Sequence, residues 1–233
     1  MKYALTTIAL FMLSPALAAD ACTANPDQLG AVYQITRLWD NTTETATEQE
    51  ELVLWRAPHR AAHQHRARES TELWEQGADG RVRLVRLFDQ HQRGIEYQPD
   101  EVESSQKETW QLRRELVTAE MLDPDNLLES MGSGCTRTEQ YRWERNGTVH
   151  ELEWLPQLRL VNSYREQGNG RSVNWQLKQG IYDADEVTGF FKRIDAYQTA
   201  DYADIGDMES DPFLRQMIRL GFITDPHDNH RGD

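Results

Sequence analysis

The sequence predicts an α+β chain built mainly from antiparallel strands. Two long stretches, 30–97 and 141–177, alternate apolar and polar residues with the period of two that a half-buried strand needs. Tight-turn sequences separate the runs, namely Ala78-Asp79-Gly80, Asn146-Gly147 and Gly168-Asn169-Gly170. Three shorter stretches instead carry apolar residues at helical spacing.

The first eighteen residues read as a secretory leader. Lys2 precedes an apolar run from Ala4 to Leu13, Pro15 breaks it, and Ala16-Leu17-Ala18 places small residues where signal peptidase requires them. The run is shorter than the ~20 residues that span a bilayer, so the chain is expected to be periplasmic and soluble rather than an integral membrane protein. Residues 19–223 are expected to form one domain, and 224–233 a polar tail. Cys22 follows Asp20, an acid where a lipidation signal wants small or apolar residues, so a lipid anchor is not the expectation.

The elements follow in order. Tyr33, Ile35 and Trp39 share one parity, Leu52 and Leu54 continue in a second run, and Val82, Leu84 and Phe88 follow the 78–80 turn. This reads as an antiparallel meander. Residues 41–51 are rich in Thr and Glu without periodicity, and predict a loop or ragged strand end. From Ser105 to Met131, Trp110, Leu112, Leu116, Val117, Met121 and Leu122 recur at helical spacing, with a second turn after Asp123-Pro124, so one or two helices are expected. Tyr141, Trp143, Val149, Leu152 and Trp154 form a hairpin about Asn146-Gly147, the strongest two-residue turn signal. Leu158, Leu160, Val173, Trp175 and Leu177 form another. Val187, Phe190, Phe191 and Ile194 then predict a helix capped by Asp183 or Asp185. A last helix starts at Ser210 or Asp211 with Pro212 in its first turn, and stops at Gly221.

Composition excludes some partners. With 25 Lys and Arg against 39 Asp and Glu, the formal charge is −14, which repels nucleic acid and anionic lipid unless the basic residues are gathered on one face. Cys22 and Cys135 are the only cysteines. In an oxidising compartment an isolated pair is most simply a disulfide, and without CxxC spacing a redox-catalytic role is not indicated.

The segment Glu51-Leu-Val-Leu-Trp-Arg-Ala-Pro-His-Arg60 is similar to a strand ending in an Arg-x-Pro corner, and Ile95-Glu96-Tyr97-Gln98-Pro99 to an aromatic-Tyr-x-Pro segment. Together with the order of meander, helical insert and hairpins, they make the chain resemble the LolA/LolB-like lipoprotein-carrier superfamily. That resemblance implies an incomplete, half-open β-barrel with helices covering its concave face. It further implies a periplasmic binding or carrier protein that holds a lipid, acyl chain or lipoprotein segment in an apolar cup. Trp55, Trp74, Leu84, Phe88 and Trp154 are then the candidate wall residues. The cysteine pair and the acidic segment 201–207 have no counterpart in that family.

Two other readings come from the residues alone. His59, His63 and His65 share a parity, so one extended strand would aim all three at one face. Such a trio could hold zinc or copper with His91, His150 or a carboxylate as a further ligand, as in a metal-delivery factor. The acids Asp201, Asp204, Asp207, Glu209 and Asp211 could offer oxygens to calcium, without the spacing of an EF-hand loop. A hydrolase is the third reading. No nucleophile elbow, HExxH, phosphate-cradling glycine loop or Cys-His pairing is present, so it would rest on a carboxylate pair assembled only in space.

Overall fold

The structure, a computed structural model, describes residues 21–40, 45–102, 110–208 and 210–219. The expected leader, polar tail and Gly221 helix stop, and residues 105–109 of the expected helical insert, lie outside the described residues. Twelve strands form one sheet: β1 (Leu29–Asp40), β2 (Thr45–Ala57), β3 (Arg60–His65), β4 (Ser70–Gln76), β5 (Val82–Phe88), β6 (Arg93–Tyr97), β7 (Leu127–Met131), β8 (Thr138–Arg145), β9 (Thr148–Leu155), β10 (Leu160–Gly168), β11 (Arg171–Ile181) and β12 (Gln198–Asp201). Among the described residues three α-helices accompany them: α1 (Trp110–Glu115), α2 (Ala184–Ile194) and α3 (Pro212–Arg219).

The strand order is β12-β6-β5-β4-β3-β2-β1-β11-β10-β9-β8-β7. Every pairing is antiparallel except β12 with β6. Two runs of hairpin-connected strands, β1–β6 and β7–β11, are joined where β1 pairs β11. The outermost strands, β12 and β7, do not pair with each other, so the sheet does not close into a barrel. This is the half-open, mainly antiparallel architecture expected from the sequence.

Cross-strand partners share a face, so the registers sort side chains across all twelve strands. Tyr33, Leu52, His65 and Trp74 lie on what we call the front face, and Val53, Ala62, Leu73 and Val85 on the back. One front-face core gathers Tyr33, Leu54, Leu152, Trp154 and Leu160. A second front-face core joins Trp74, Leu84, Phe88, Ile95 and Tyr97 to Phe213, Leu214 and Met217 of α3. The back-face core is made with α2, where Trp55 stacks on Phe190 with ring centroids 4.4 Å apart. The helices thus flank both faces, with α1 and α3 on the front and α2 behind.

Local chemistry explains most boundaries. Asn146 and Gly147 have φ of 53° and 74°, the two left-handed positions that a two-residue hairpin of this type demands. Asp183 caps α2 by accepting from Asp185 N and Glu186 N at 2.8 and 3.0 Å. Asp211 does the same for α3 through Phe213 N at 2.8 Å.

Two expectations are corrected. Among the described residues the insert has α1, which ends where Leu116 adopts a φ of 62°, and the expected second turn, a 3-10 turn at Pro124–Asn126 capped by Asp123; the helical reading fails only beyond it. Leu127, Leu128 and Met131 then extend as β7, because pairing with β8 supplies their backbone hydrogen bonds. The Thr- and Glu-rich stretch is strand from Thr45 onward, since long-range pairing with β1 overrides weak local propensity; residues 41–44 lie outside the described residues.

Cys22 and Cys135 form the disulfide expected from their isolation, across a sequence separation of 113 residues. Both half-cystines pack against the first front-face core. In the chain-entropy model a loop of this length stabilises by ~4–5 kcal/mol. Cys22→Ser with Cys135→Ser should therefore lower the urea midpoint markedly. An unchanged midpoint would mean that the bridge does not restrain the unfolded chain.

Candidate ligand-binding site

The front face is not filled along its whole length. Between the two front-face cores lies an open concavity of about 370 Å³. Its floor is Ile35, Leu52 and Val161, all at most 3% exposed, with half-buried Trp175 and Tyr164 beside them. Leu112, Leu116 and Met121, from α1 and the turns after it, form the opposite wall. These apolar groups come from β1, β2, β10, β11 and the insert, so no single segment builds the wall.

The remaining lining is polar and ordered: Arg37, Glu50, His63, His65, Glu72 and Arg113. Glu50 is 6% exposed. It pairs with Arg37 Nη1 at 2.9 Å and His65 Nδ1 at 2.5 Å, with Arg68 Nη2 at 3.8 Å. Burial opposes ionisation of this carboxyl, but the hydrogen bonds from His65 and Arg37 outweigh it and hold Glu50 below the usual carboxylate range. His63 Nε2 donates to the Arg113 carbonyl at 2.7 Å. Burial is the chief reason that its imidazole is pulled down to about 4, keeping it neutral at ordinary pH.

The insert is fastened over the front face by charge as well as packing. Arg114, 7% exposed, donates to the Ala57 carbonyl at 2.9 Å and to Asp27 Oδ1 at 2.7 Å. Arg159 bridges Asp27 and Glu115, the latter at 3.4 Å. The Arg114 hydrogen bond, with the two guanidinium charges, holds the Asp27 carboxyl low despite the opposing effect of burial. Arg113 lies over the Trp74 ring, 3.8 Å from its centroid. Behind this clamp Arg56 is fully buried, donating through Nη2 to the Leu158 carbonyl at 2.9 Å, and burial draws its guanidinium down to about 10.

The candidate wall residues are distributed over three cores. Trp55 packs on α2 behind the sheet, Trp74, Leu84 and Phe88 pack under α3, and Trp154 sits in the first front-face core. None of the five lines the concavity. Among the histidines, His63 and His65 reach it together, whereas His59 occupies the β2–β3 turn with a φ of 58°. Among the described residues no group of three or more His, Cys, Asp and Glu is placed to hold a metal ion. His91 packs on Phe213 and His150 stacks on Trp143. In the acidic segment, Asp201 accepts from Gln98 Nε2 at 3.2 Å and Ala203 N at 3.0 Å, while Asp211 pairs with Arg93 at 2.8 Å. The side chains of Asp207 and Glu209 lie outside the described residues.

Reading along the chain missed Arg37, Glu50, Tyr164 and Trp175 as neighbours. The available signal was parity: Arg37 continues the Tyr33-Ile35 face, and Glu50 continues the Leu52-Leu54 face. A second concavity, about 390 Å³, opens on the back of β8–β11. It is lined by Gln140, Arg142, Glu151, Glu153 and Arg165, with Arg142 and Glu151 paired at 3.2 Å. A solvated polar sheet face accounts for it.

No protein-family model and no curated protein matches the chain. Among solved structures it is similar to PNGF-II in a P21 crystal form, at 11% identity and a TM-score of 0.34, covering 76% of this chain and 33% of that one. A C2 form of PNGF-II gives 7% identity, a TM-score of 0.31 and coverage of 73% and 31%. This chain thus spans about a third of PNGF-II. A domain from Vibrio parahaemolyticus named for outer membrane lipoprotein sorting matches at 7% identity and a TM-score of 0.29, covering 70% of this chain and 91% of that domain. This likeness is weak and partial. Among the described residues no helix is long and apolar enough to cross a membrane.

His63 sets an acid limit on stability. An unfolded histidine binds its proton near pH 6.5 and the folded one only near 4, so the unfolded state takes up more protons between those values. Stability is therefore full above about pH 6.5 and falls as pH drops toward 4, with Glu50 adding a loss below its ordinary carboxylate range. His63→Gln should flatten the decline of Tm between pH 7 and 4, and an unaltered decline would remove His63 as its cause.

Proposed function

We propose that the protein is a periplasmic binding or carrier protein that holds the apolar chain of a lipid or lipoprotein segment in the front-face concavity. The observation that carries this reading is the apolar part of the lining, Ile35, Leu52, Val161, Trp175, Leu112, Leu116 and Met121, which the described side chains leave open. Its volume of about 370 Å³ falls within the roughly 300–1,000 Å³ of small-molecule sites. Burying a chain there removes apolar area from water on both sides, and each buried methylene contributes about 0.8 kcal/mol. On this reading the chain would lie against these residues and not against Trp55, Trp74 or Trp154.

Native mass spectrometry of protein purified from periplasm should detect a co-purifying mass in the lipid range that is lost on denaturation. A mass matching zinc or copper, removed by chelator, would transfer the reading to His63 and His65. With a fluorescent fatty acid as probe, Trp175→Ala should weaken binding roughly tenfold, equivalent to ~1.4 kcal/mol. Met121→Arg should weaken it further by placing a charge against the chain. Wild-type affinity in both variants would exclude this concavity.

A further inference from the structure

Retaining an apolar chain does not account for the polar end of the concavity, where Arg37, Glu50 and His65 form a linear relay. The nearly buried Glu50 carboxylate receives Arg37 Nη1 at 2.9 Å and His65 Nδ1 at 2.5 Å. A carboxylate only accepts, so Nδ1 carries the proton, and in the neutral form of the ring the lone pair lies at Nε2. Nε2 has no hydrogen-bond partner among the described residues and is not sealed from solvent, and His65 lines the concavity beside the apolar wall. A simple staple between β2 and β3 needs none of this, because Leu52 and His65 already sit in a backbone ladder. A buried carboxylate that fixes one tautomer and leaves the other nitrogen open is instead how a general base is oriented.

We propose that His65 is a general base, and that the protein hydrolyses a carboxylic ester of an amphiphile whose acyl chain lies along the apolar wall. The proposal rests on the reading that this concavity takes an apolar chain. Water adds through its oxygen to the ester carbonyl carbon while one of its protons passes to His65 Nε2. The tetrahedral intermediate then collapses, the bond from carbon to the alcohol oxygen breaks, and the proton on Nε2 passes to the departing alkoxide. Carboxylic acid and alcohol leave, and His65 is again neutral. Glu50 is a positioning residue that also stabilises the transient imidazolium, and Arg37 holds Glu50 in place. Arg113, in the same lining, supplies positive charge for the oxyanion. The other charged or titratable groups around the relay are Glu48, Arg68, His63, Glu72 and Tyr164.

The test uses the purified full chain with p-nitrophenyl esters of short, medium and long fatty acids, alongside binding of a fluorescent fatty acid. The expected result is turnover above buffer that rises with chain length. His65→Gln and His65→Asn should lower it by about 10²–10⁴-fold. Glu50→Gln should lower turnover strongly while fatty-acid binding stays at the wild-type level, which a merely structural ion pair would not produce, and Glu50→Asp should recover part of the turnover. His59→Asn, in the β2–β3 turn outside the concavity, should keep the wild-type rate. If one variant fails to fold by thermal unfolding, wild-type turnover and the remaining variants still decide. Wild-type protein that binds the fatty acid but releases no p-nitrophenol faster than buffer overturns the hydrolase and leaves the carrier. Protein that does neither overturns both, and full turnover in either folded His65 variant removes the assignment to this relay.

Discussion

The pairing of β1 with β11 is the constraint on which the rest of the molecule depends. It runs from Gly30 opposite Ile181 to Trp39 opposite Arg171, with one irregularity after Val32. Each run of hairpins could form its own ladder locally, but only this long-range register aligns their front faces. It puts Tyr33 beside Trp175, ring centroids 6.1 Å apart, and Ile35 opposite Trp175. A slip of one residue would send the Trp175 face to the back, and the concavity would lose the wall contributed by the second run.

The insert between β6 and β7 supplies the opposite wall of the concavity on that open face. The described part of its helix is six residues, which propensity alone would not hold in place. It is held instead by Arg114 on the backbone of the β2–β3 turn, by the Arg159 bridge to Asp27 and Glu115, and by His63 on the Arg113 carbonyl. The disulfide adds a covalent tie close by, since both half-cystines share a core with Leu116, Met121 and Leu122. Polar clamps around an apolar space leave the apolar groups facing each other across it, where overpacking would have filled it.

The same arrangement puts charged side chains beside the apolar lining of the concavity. Glu50 would be unstable as a lone buried carboxylate, and Arg37 and His65 together keep it ionised. His63, one step along β3, is kept neutral by burial. Two histidines at i and i+2 therefore have different roles on one wall, although the sequence presents them as equivalents.

The sequence by itself determined the local pieces. Period-two alternation marked most strands, Asn146-Gly147 and Gly168-Asn169-Gly170 marked their turns, and Asp183 and Asp211 marked two helix starts, because each depends on backbone chemistry within a few residues. The isolated Cys22 and Cys135 likewise left one simple pairing. Tertiary structure alone decided what the pieces became. Leu127, Leu128 and Met131 lie in the stretch that reads as helical, and pairing with β8 made them a strand instead. Tryptophans of this size suit either a core or a cup wall, and Trp55, Trp74 and Trp154, the wall candidates of the family resemblance, pack into cores with α2, α3 and the second run of hairpins. Glu50, fifteen residues before His65, became its partner through the β2–β3 hairpin, and both met Trp175 across the β1–β11 register. Side-chain parity is written in the sequence, but which faces oppose one another across the molecule is set by long-range pairing, and that is where this site was made.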